Sequence, residues 1–454
     1  MPTQSTTPAT GERIKDYKPH TDAAVDEILT KVDTAQKAWA TVPLAERAAL
    51  VKRAGDHLRA NAEKYGEIIT QEMGKLRAGG IAEVEKCALN CDYYADNAEK
   101  ILAPEHVKIE ASKSYVRFDP LGVVLAVMPW NFPFWQVWRF LAPALLAGNG
   151  AVLKHASNVP GSALAIEESV RAAGFPEDIF RTLLIGAKSV SRVIENPIIK
   201  AVTLTGSEAA GSQVAATAGK VIKKTVLELG GNDPFIVLED ADLPACVVGA
   251  NAGRMVNSGQ SCVSSKRFII VESQLEAFIS GLVAQFKALK IGDPTDSETT
   301  VAPMAREDLR DDLHKQVEAA VAAGAKVEIG GQPADRPGAY YQPTVLSNVT
   351  ETNPIFSQET FGPVASIIVA KDEADAVRLA NLSPYGLSSS VWSKDVARAE
   401  RVAEQIEAGG VFINAITKSD PRMPFGGIKL SGYGREMSHY GLKEFVNIKT
   451  VVVK

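Results

Sequence analysis

The chain has 454 residues, 46% apolar and 23% charged, which at roughly 150 residues per domain suffices for two or three cored domains and excludes disorder as its main state. With 49 basic and 54 acidic residues the net charge is −5 and no long basic run occurs, which argues against nucleic acid or an acidic membrane surface as partner. Four cysteines are too few for a disulfide framework, the N-terminus (MPTQSTTPATGERIKDYKPH) is polar, and the apolar stretch Leu121–Met128 is too short to span a bilayer, so a cytoplasmic protein is expected.

The first hundred residues read as helices. Val25, Ile28, Leu29 and Val32 repeat at helical spacing behind Asp22, a candidate cap, and Pro43 opens a second run with Leu44, Ala48, Val51 and Leu58. Lys75 to Ile101 is rich in Ala, Glu and Lys and carries no obvious chemistry. From Ser114 the period changes. Tyr115, Val116 and Phe118 suggest an exposed strand, LGVVLAVMPW a fully buried one, Gln136 to Ala147 a helix, and AVLK (Ala151 to Lys154) a strand after the turn Gly148-Asn149-Gly150. A helix from Gly161 to Ala173 and strands at RTLLI and AVTLT continue the alternation, which predicts βαβ units and a parallel, doubly wound sheet. TVLELGG (Thr225 to Gly231) ends this half. A second alternating half has strands at PFIVL, KRFIIV, AKVEI, ASIIVA, SSSVW and GGVFIN, with helices at Ser273 to Leu289 and Asp372 to Asn381. The β-branched tail KEFVNIKTVVVK is solitary and is expected to pair outside its own domain. The fold class is α/β, with two α/β domains and a small strand excursion.

Cys262 stands in Ser258-Gly259-Gln260-Ser261-Cys262-Val263-Ser264, an open small-residue turn where a thiolate could meet a ligand and backbone N–H groups could hold an oxyanion; the alternative is a buried structural cysteine. Glu228, between Leu227 and Leu229, would have its pKa raised by desolvation and so suit a general base, or is an exposed strand-end glutamate. Asn131, locked in Pro129-Trp130-Asn131-Phe132-Pro133, suits an oxyanion donor or forms an Asx-turn. Lys154 ends a buried strand where α/β sheets place ligands, or is a solvated charge. Cys87 and Cys91 share a helix face, but no further ligand lies at zinc spacing, so no metal is expected. No histidine pairs with a Ser or Cys motif, which leaves a hydrolase triad with little support.

The order of the motifs PWNFP, VLK, LTGS, ELGG, GQSC, QETFGPV and PFGGIKLSGYGRE resembles the aldehyde dehydrogenase superfamily over essentially the whole chain. Within it the chain is similar to the short bacterial succinate-semialdehyde dehydrogenases. The resemblance implies a Rossmann-like cofactor domain (1–105 and 121–228), a catalytic domain carrying the cysteine (229–428), and oligomerisation strands (106–120 and 437–454) that make a homodimer or homotetramer. It implies Cys262 as nucleophile, Glu228 as the base that activates the deacylating water, and Asn131 with the Cys262 N–H as oxyanion hole. Trp130, Lys154, Ser157, Gly206, Ser207, Glu359 and Phe361 would hold the dinucleotide.

The implied reaction oxidises an aldehyde to an acid through a thiohemiacetal and a thioester, with NADP or NAD as cofactor. Succinate semialdehyde is the expected substrate. Arg139 and Ser419 would grip its carboxylate, although Arg139 could instead form a structural salt bridge and Val256 departs from the relatives' pattern. Glycolaldehyde and lactaldehyde are the alternative aldehydes, and a thiol esterase the alternative chemistry. Many NAD-preferring relatives place a glutamate where this chain has Ser157, so NADP is expected to be favoured, with Lys154 and an inward-turned His155 supplying charge. Ser264 stands where some relatives have a second cysteine, so no disulfide switch at Cys262 is expected, although a low-pKa Cys262 could be oxidised by peroxide.

Overall fold

The buried runs LGVVLAVM and AVTLT form the centre of a six-stranded sheet in the computed structural model, which describes residues 3–454. Strand Val123–Met128 lies between Gly150–His155 and Ile199–Thr205, all parallel. Phe180–Thr182 and Lys224–Glu228 extend the sheet on either side, and the short antiparallel Gly432–Tyr433 ends it beyond Lys224–Glu228. Both faces are covered, which is why the central run shows no polar alternation. Val124, Ala126 and Met128 pack with the core of the Leu44–Ala60, Arg77–Leu102 and Trp135–Leu146 helices, whereas Val123 and Leu125 pack with Val25, Leu29 and Val32 of the Asp22–Trp39 helix.

The first helix is capped by Thr21, whose hydroxyl accepts from the Ala24 N–H; Asp22 is its first residue, one position inside the cap expected for it. A helix over Ala62–Met73, with Tyr65, Ile69 and Met73 buried at i, i+4, i+8, and an N-terminal hairpin pairing Thr3–Thr6 with Arg13–Tyr17 go beyond the sequence reading.

The second sheet has seven strands in the order Lys326–Ile329, Thr344–Ser347, Val364–Ala370, Arg267–Val271, Pro234–Val237, Ser388–Trp392, Gly410–Ile413; only the first pairs antiparallel. Its strands also divide residue by residue between two cores, Ile236 and Ile269 to one, Phe235 and Phe268 to the other.

The tail forms strand Val446–Val453 and pairs along all eight residues with Lys113–Pro120 of its own chain; the short strand Glu105–His106 makes the third member. The tail therefore joins the 106–120 excursion, and its other side is a sheet edge bearing exposed Ile448, Val452 and Val453.

This topology positions the site. Parallel strands of the first sheet all end on one edge, so the segments following Met128, His155, Thr205 and Glu228 are neighbours. The opposing surface is the N-terminal edge of the second sheet, because Cys262 and Glu359 precede strands Arg267–Val271 and Val364–Ala370.

Candidate active site

Cys262 sits on a turn whose backbone is forced into a narrow shape. Asn257, Ser258 and Gly259 adopt φ of 52°, 53° and +79° in succession, and a Cβ on Gly259 would collide with the Gly362 carbonyl, so only glycine fits that third position. Arg254 holds the turn from below. Fully buried, it donates to the carbonyls of Gly259 (2.9 Å), Ser265 (2.9 Å), Thr360 (3.0 Å) and Gly362 and to the Ser264 hydroxyl (3.0 Å), which ties the cysteine turn to the Glu359 loop. Ser264 thus has a packing role, donating in turn to Ser261 O at 3.0 Å. Lys266, 1% exposed, donates to Ser261 O (2.9 Å) and Cys262 O (2.7 Å) and lies 3.3 Å from Glu359. These two cations are central to the turn, yet neither carries a sequence signal beyond its nearness to Cys262.

The two sheets meet closely here. A Cβ on Gly231 would lie 2.5 Å from Cys262 O, so the ELGG glycines permit the approach of the Glu228 strand end to the cysteine turn. Asn131 crosses the same gap: its Nδ2 donates to Gln260 O (3.1 Å), while its Oδ1 accepts from Gln136 Nε2 (3.0 Å). Gln136 therefore fixes the amide orientation and leaves Asn131 one further N–H to donate.

Burial raises both titrating groups of the site. Burial pushes the Cys262 thiol up to about 12, opposed by Lys266 and Arg139. This corrects the expectation of a low-pKa cysteine: the resting group is a thiol. Burial likewise raises Glu228, reinforced by Glu436 and opposed by Arg139 and Arg435. Both Glu228 carboxylate oxygens lack a hydrogen-bond partner; Oε1 faces Gly426 of the PFGG segment, and the residue does not line the pocket in which Cys262 opens.

That pocket has a volume of about 460 Å³ and is walled by Phe132, Trp135, Ile416 and Phe425, with Gln136, Arg139, Lys75, Lys86, Lys418 and Ser419 among its polar groups. Arg139 is not the free fork that the expected carboxylate grip requires. It is 3% exposed, forms an ion pair with the equally buried Glu436, touches Thr205 Oγ1 at 3.3 Å and stacks 4.6 Å from the Phe425 ring centre. The structural salt bridge named as its alternative is what the structure shows. Ser419 does face the pocket, where its hydroxyl accepts from Lys86 Nζ at 2.6 Å.

On the other side of Cys262 lie the residues expected to hold a dinucleotide. Trp130 and Phe361 meet edge to face, 5.7 Å apart. Glu359 Oε1 accepts from Gly231 N at 3.1 Å, and burial raises its pKa against the pull of Lys266. Gly206 and Ser207 open the Glu208–Lys220 helix, Ser207 Oγ capping Ala210 N at 3.4 Å. Lys154 is half-buried, its pKa lowered by desolvation, and has no ion-pair partner among the described residues. Ser157 is exposed beside it. His155 departs from expectation. Buried, with its pKa lowered to about 4, it is neutral: Nδ1 accepts from the Ala156 N–H (2.9 Å) and Nε2–H donates to Pro133 O (3.0 Å), so it braces the Asn131 loop instead of adding charge at Ser157.

Residues 2–451 match the aldehyde dehydrogenase family. The chain belongs to that family. Among its relatives, the protein named "probable succinate-semialdehyde dehydrogenase", NADP(+)-type, of Synechocystis is 50% identical, with 98% of each chain covered. The NADP(+)-type succinate-semialdehyde dehydrogenase of Mycolicibacterium paratuberculosis is 48% identical, covering 99% of this chain and 96% of the other. Among solved structures, succinic semialdehyde dehydrogenase from Streptococcus pyogenes in complex with NADP+ superposes with a TM-score of 0.97 at 40% identity, covering 99% of both chains. This family member accordingly has the aldehyde dehydrogenase fold, and no helix among the described residues is long and apolar enough to cross a membrane.

Proposed function

We propose that this enzyme oxidises succinate semialdehyde to succinate with NADP as preferred cofactor and NAD as a slower substitute. The observation that carries the reading is the meeting of Cys262, Asn131 and a dinucleotide-compatible strand edge at one end of an apolar pocket that also holds cations. The relatives' printed activities support it. The residues fit a phosphorylated dinucleotide: Lys154 is a desolvated cation without a partner, Ser157 offers an exposed hydroxyl, no carboxylate occupies 155–157, and the Glu208–Lys220 helix begins at Ser207. Lys154, Ser157, Gly206 and Ser207 would hold the adenosine and phosphate portions; Glu359, Trp130 and Phe361 would hold the other end. The first sheet and its helices would form the cofactor domain (1–105 and 121–228), and the second sheet the catalytic domain (229–428).

In the mechanism the thiol of Cys262 gives its proton to solvent water entering the pocket, and the sulfur adds to the aldehyde carbon. The developing oxyanion accepts from Asn131 Nδ2 and the Cys262 N–H. The bound cofactor supplies the hydride acceptor that turns the thiohemiacetal into a thioester. Glu228, kept basic by its dry surroundings, then takes a proton from the water that attacks the thioester, and Cys262 leaves as the thiol. For this Glu228 turns from Gly426 toward the cysteine.

A four-carbon comparison tests the substrate. With NADP, kcat/KM for succinate semialdehyde should exceed that for butanal by at least about tenfold, the worth of one charge-assisted contact; equal values would reject succinate semialdehyde as the substrate.

The exposed edge of Val446–Val453, with Ile448 62% exposed, supports a homodimer or homotetramer built through the 106–120 and 437–454 strands. Light scattering should return a multiple of the 48.5 kDa chain mass, and a single-chain mass would contradict this. Four free cysteines, one of them the nucleophile, suit a reducing cytoplasmic setting.

A further inference from the structure

Four cations stand on the wall of the Cys262 pocket, and two are already neutralised: Lys75 by Glu83 and Arg139 by Glu436. Lys86 and Lys418 have no carboxylate partner among the described residues. Lys418 is exposed, whereas Lys86 is half-buried on the Arg77–Leu102 helix. Its ammonium donates one N–H to Ser419 and lies 4.2 Å from the Trp135 ring centre, which leaves donor capacity directed at nothing in the protein. Desolvating an ammonium without a counter-ion is costly, and a ligand anion in the pocket would remove that cost.

We propose that Lys86, assisted by Ser419 and Lys418, binds the distal carboxylate of the substrate and sets the preference for anionic aldehydes. This rests on succinate semialdehyde being the substrate. It gives a part in specificity to a helix whose sequence suggested no chemistry.

The surroundings of Lys86 also give it a distinctive titration. Burial lowers it to about 8; Arg139 and Lys418 act in the same direction, and Cys87 and Glu83 on its own helix oppose them, while Asp420, bound to Arg422, also senses it. The cation is present below that pH and is lost as pH rises through it. The ratio of kcat/KM for succinate semialdehyde to that for butanal should therefore fall above about pH 8, with steps common to both substrates cancelling.

The test is K86M and K86R, each assayed with both aldehydes. K86M should raise KM for succinate semialdehyde by about tenfold or more, leave its kcat within about twofold, and leave butanal unchanged. K86R should retain the selectivity and abolish its fall above pH 8. If the wild-type enzyme is selective and K86M remains equally selective, Lys86 does not bind the carboxylate. If K86M loses activity toward both aldehydes in equal proportion, the role of Lys86 is structural and the proposal also fails. A wild-type enzyme without selectivity would instead defeat the substrate assignment itself.

Discussion

Changing Cys262 to alanine is expected to lower kcat by roughly 10⁴-fold or more, because it removes the only atom on which a covalent intermediate can form. No other cysteine can substitute. Cys87 and Cys91 are fully buried on the inner face of the Arg77–Leu102 helix with thiols raised by desolvation, and Cys246 is buried and raised to about 12. Glu228→Gln should separate the two halves of the reaction. Acylation needs no base at that position, so one equivalent of reduced cofactor should appear rapidly, and turnover should then stall at the thioester. Steady-state rates near wild type for Cys262→Ala would contradict the whole scheme. A Glu228→Gln enzyme that turns over normally would contradict only the base.

Ser157→Glu should reverse the cofactor preference. A hydroxyl beside the unpartnered Lys154 can donate to a 2′-phosphate, whereas a glutamate there repels the phosphate and accepts from free ribose hydroxyls. Losing one charge-assisted hydrogen bond of about 1.5–3 kcal/mol corresponds to roughly a tenfold to hundredfold fall in kcat/KM for NADP. NAD should become the faster cofactor. His155 adds no charge here, because it is neutral and held between the Ala156 N–H and the Pro133 carbonyl, so Lys154→Met should weaken NADP in the same sense. An intact enzyme clearly faster with NAD would show that Ser157 does not decide the choice.

The local physics that was legible in the chain is that of strands and turns. Buried on both faces, LGVVLAVM had to read as an uninterrupted apolar run, whereas the close backbone approaches at the glycines of ELGG and GQSC appear only in the fold. Ranking Arg139 correctly required knowing that Glu436, nearly three hundred positions later, returns beside it on the segment that ends the first sheet with Gly432–Tyr433. Nothing local encodes such a meeting. Lys86 was hidden for the opposite reason. It sits in an Ala-, Glu- and Lys-rich helix where a lysine ordinarily means a solvated face, and only the packing of Trp135 and the 416–419 loop over that helix removes it from water. The tail strand was recognisable by its β-branched residues, but its partner, Lys113–Pro120, follows from the return of the chain and not from either segment alone. The thiol of Cys262 shows the same limit, since a small-residue turn suggests openness while the folded environment raises its pKa.

The central claim is that Cys262 carries the acyl group derived from succinate semialdehyde. Mass spectrometry of the Glu228→Gln enzyme, quenched after mixing with succinate semialdehyde and NADP, measures this directly. A succinyl adduct is expected on the peptide containing Cys262, formed in step with cofactor reduction and absent when NADP is omitted. Cofactor reduction with no adduct, or an adduct on Cys87, Cys91 or Cys246, would contradict it.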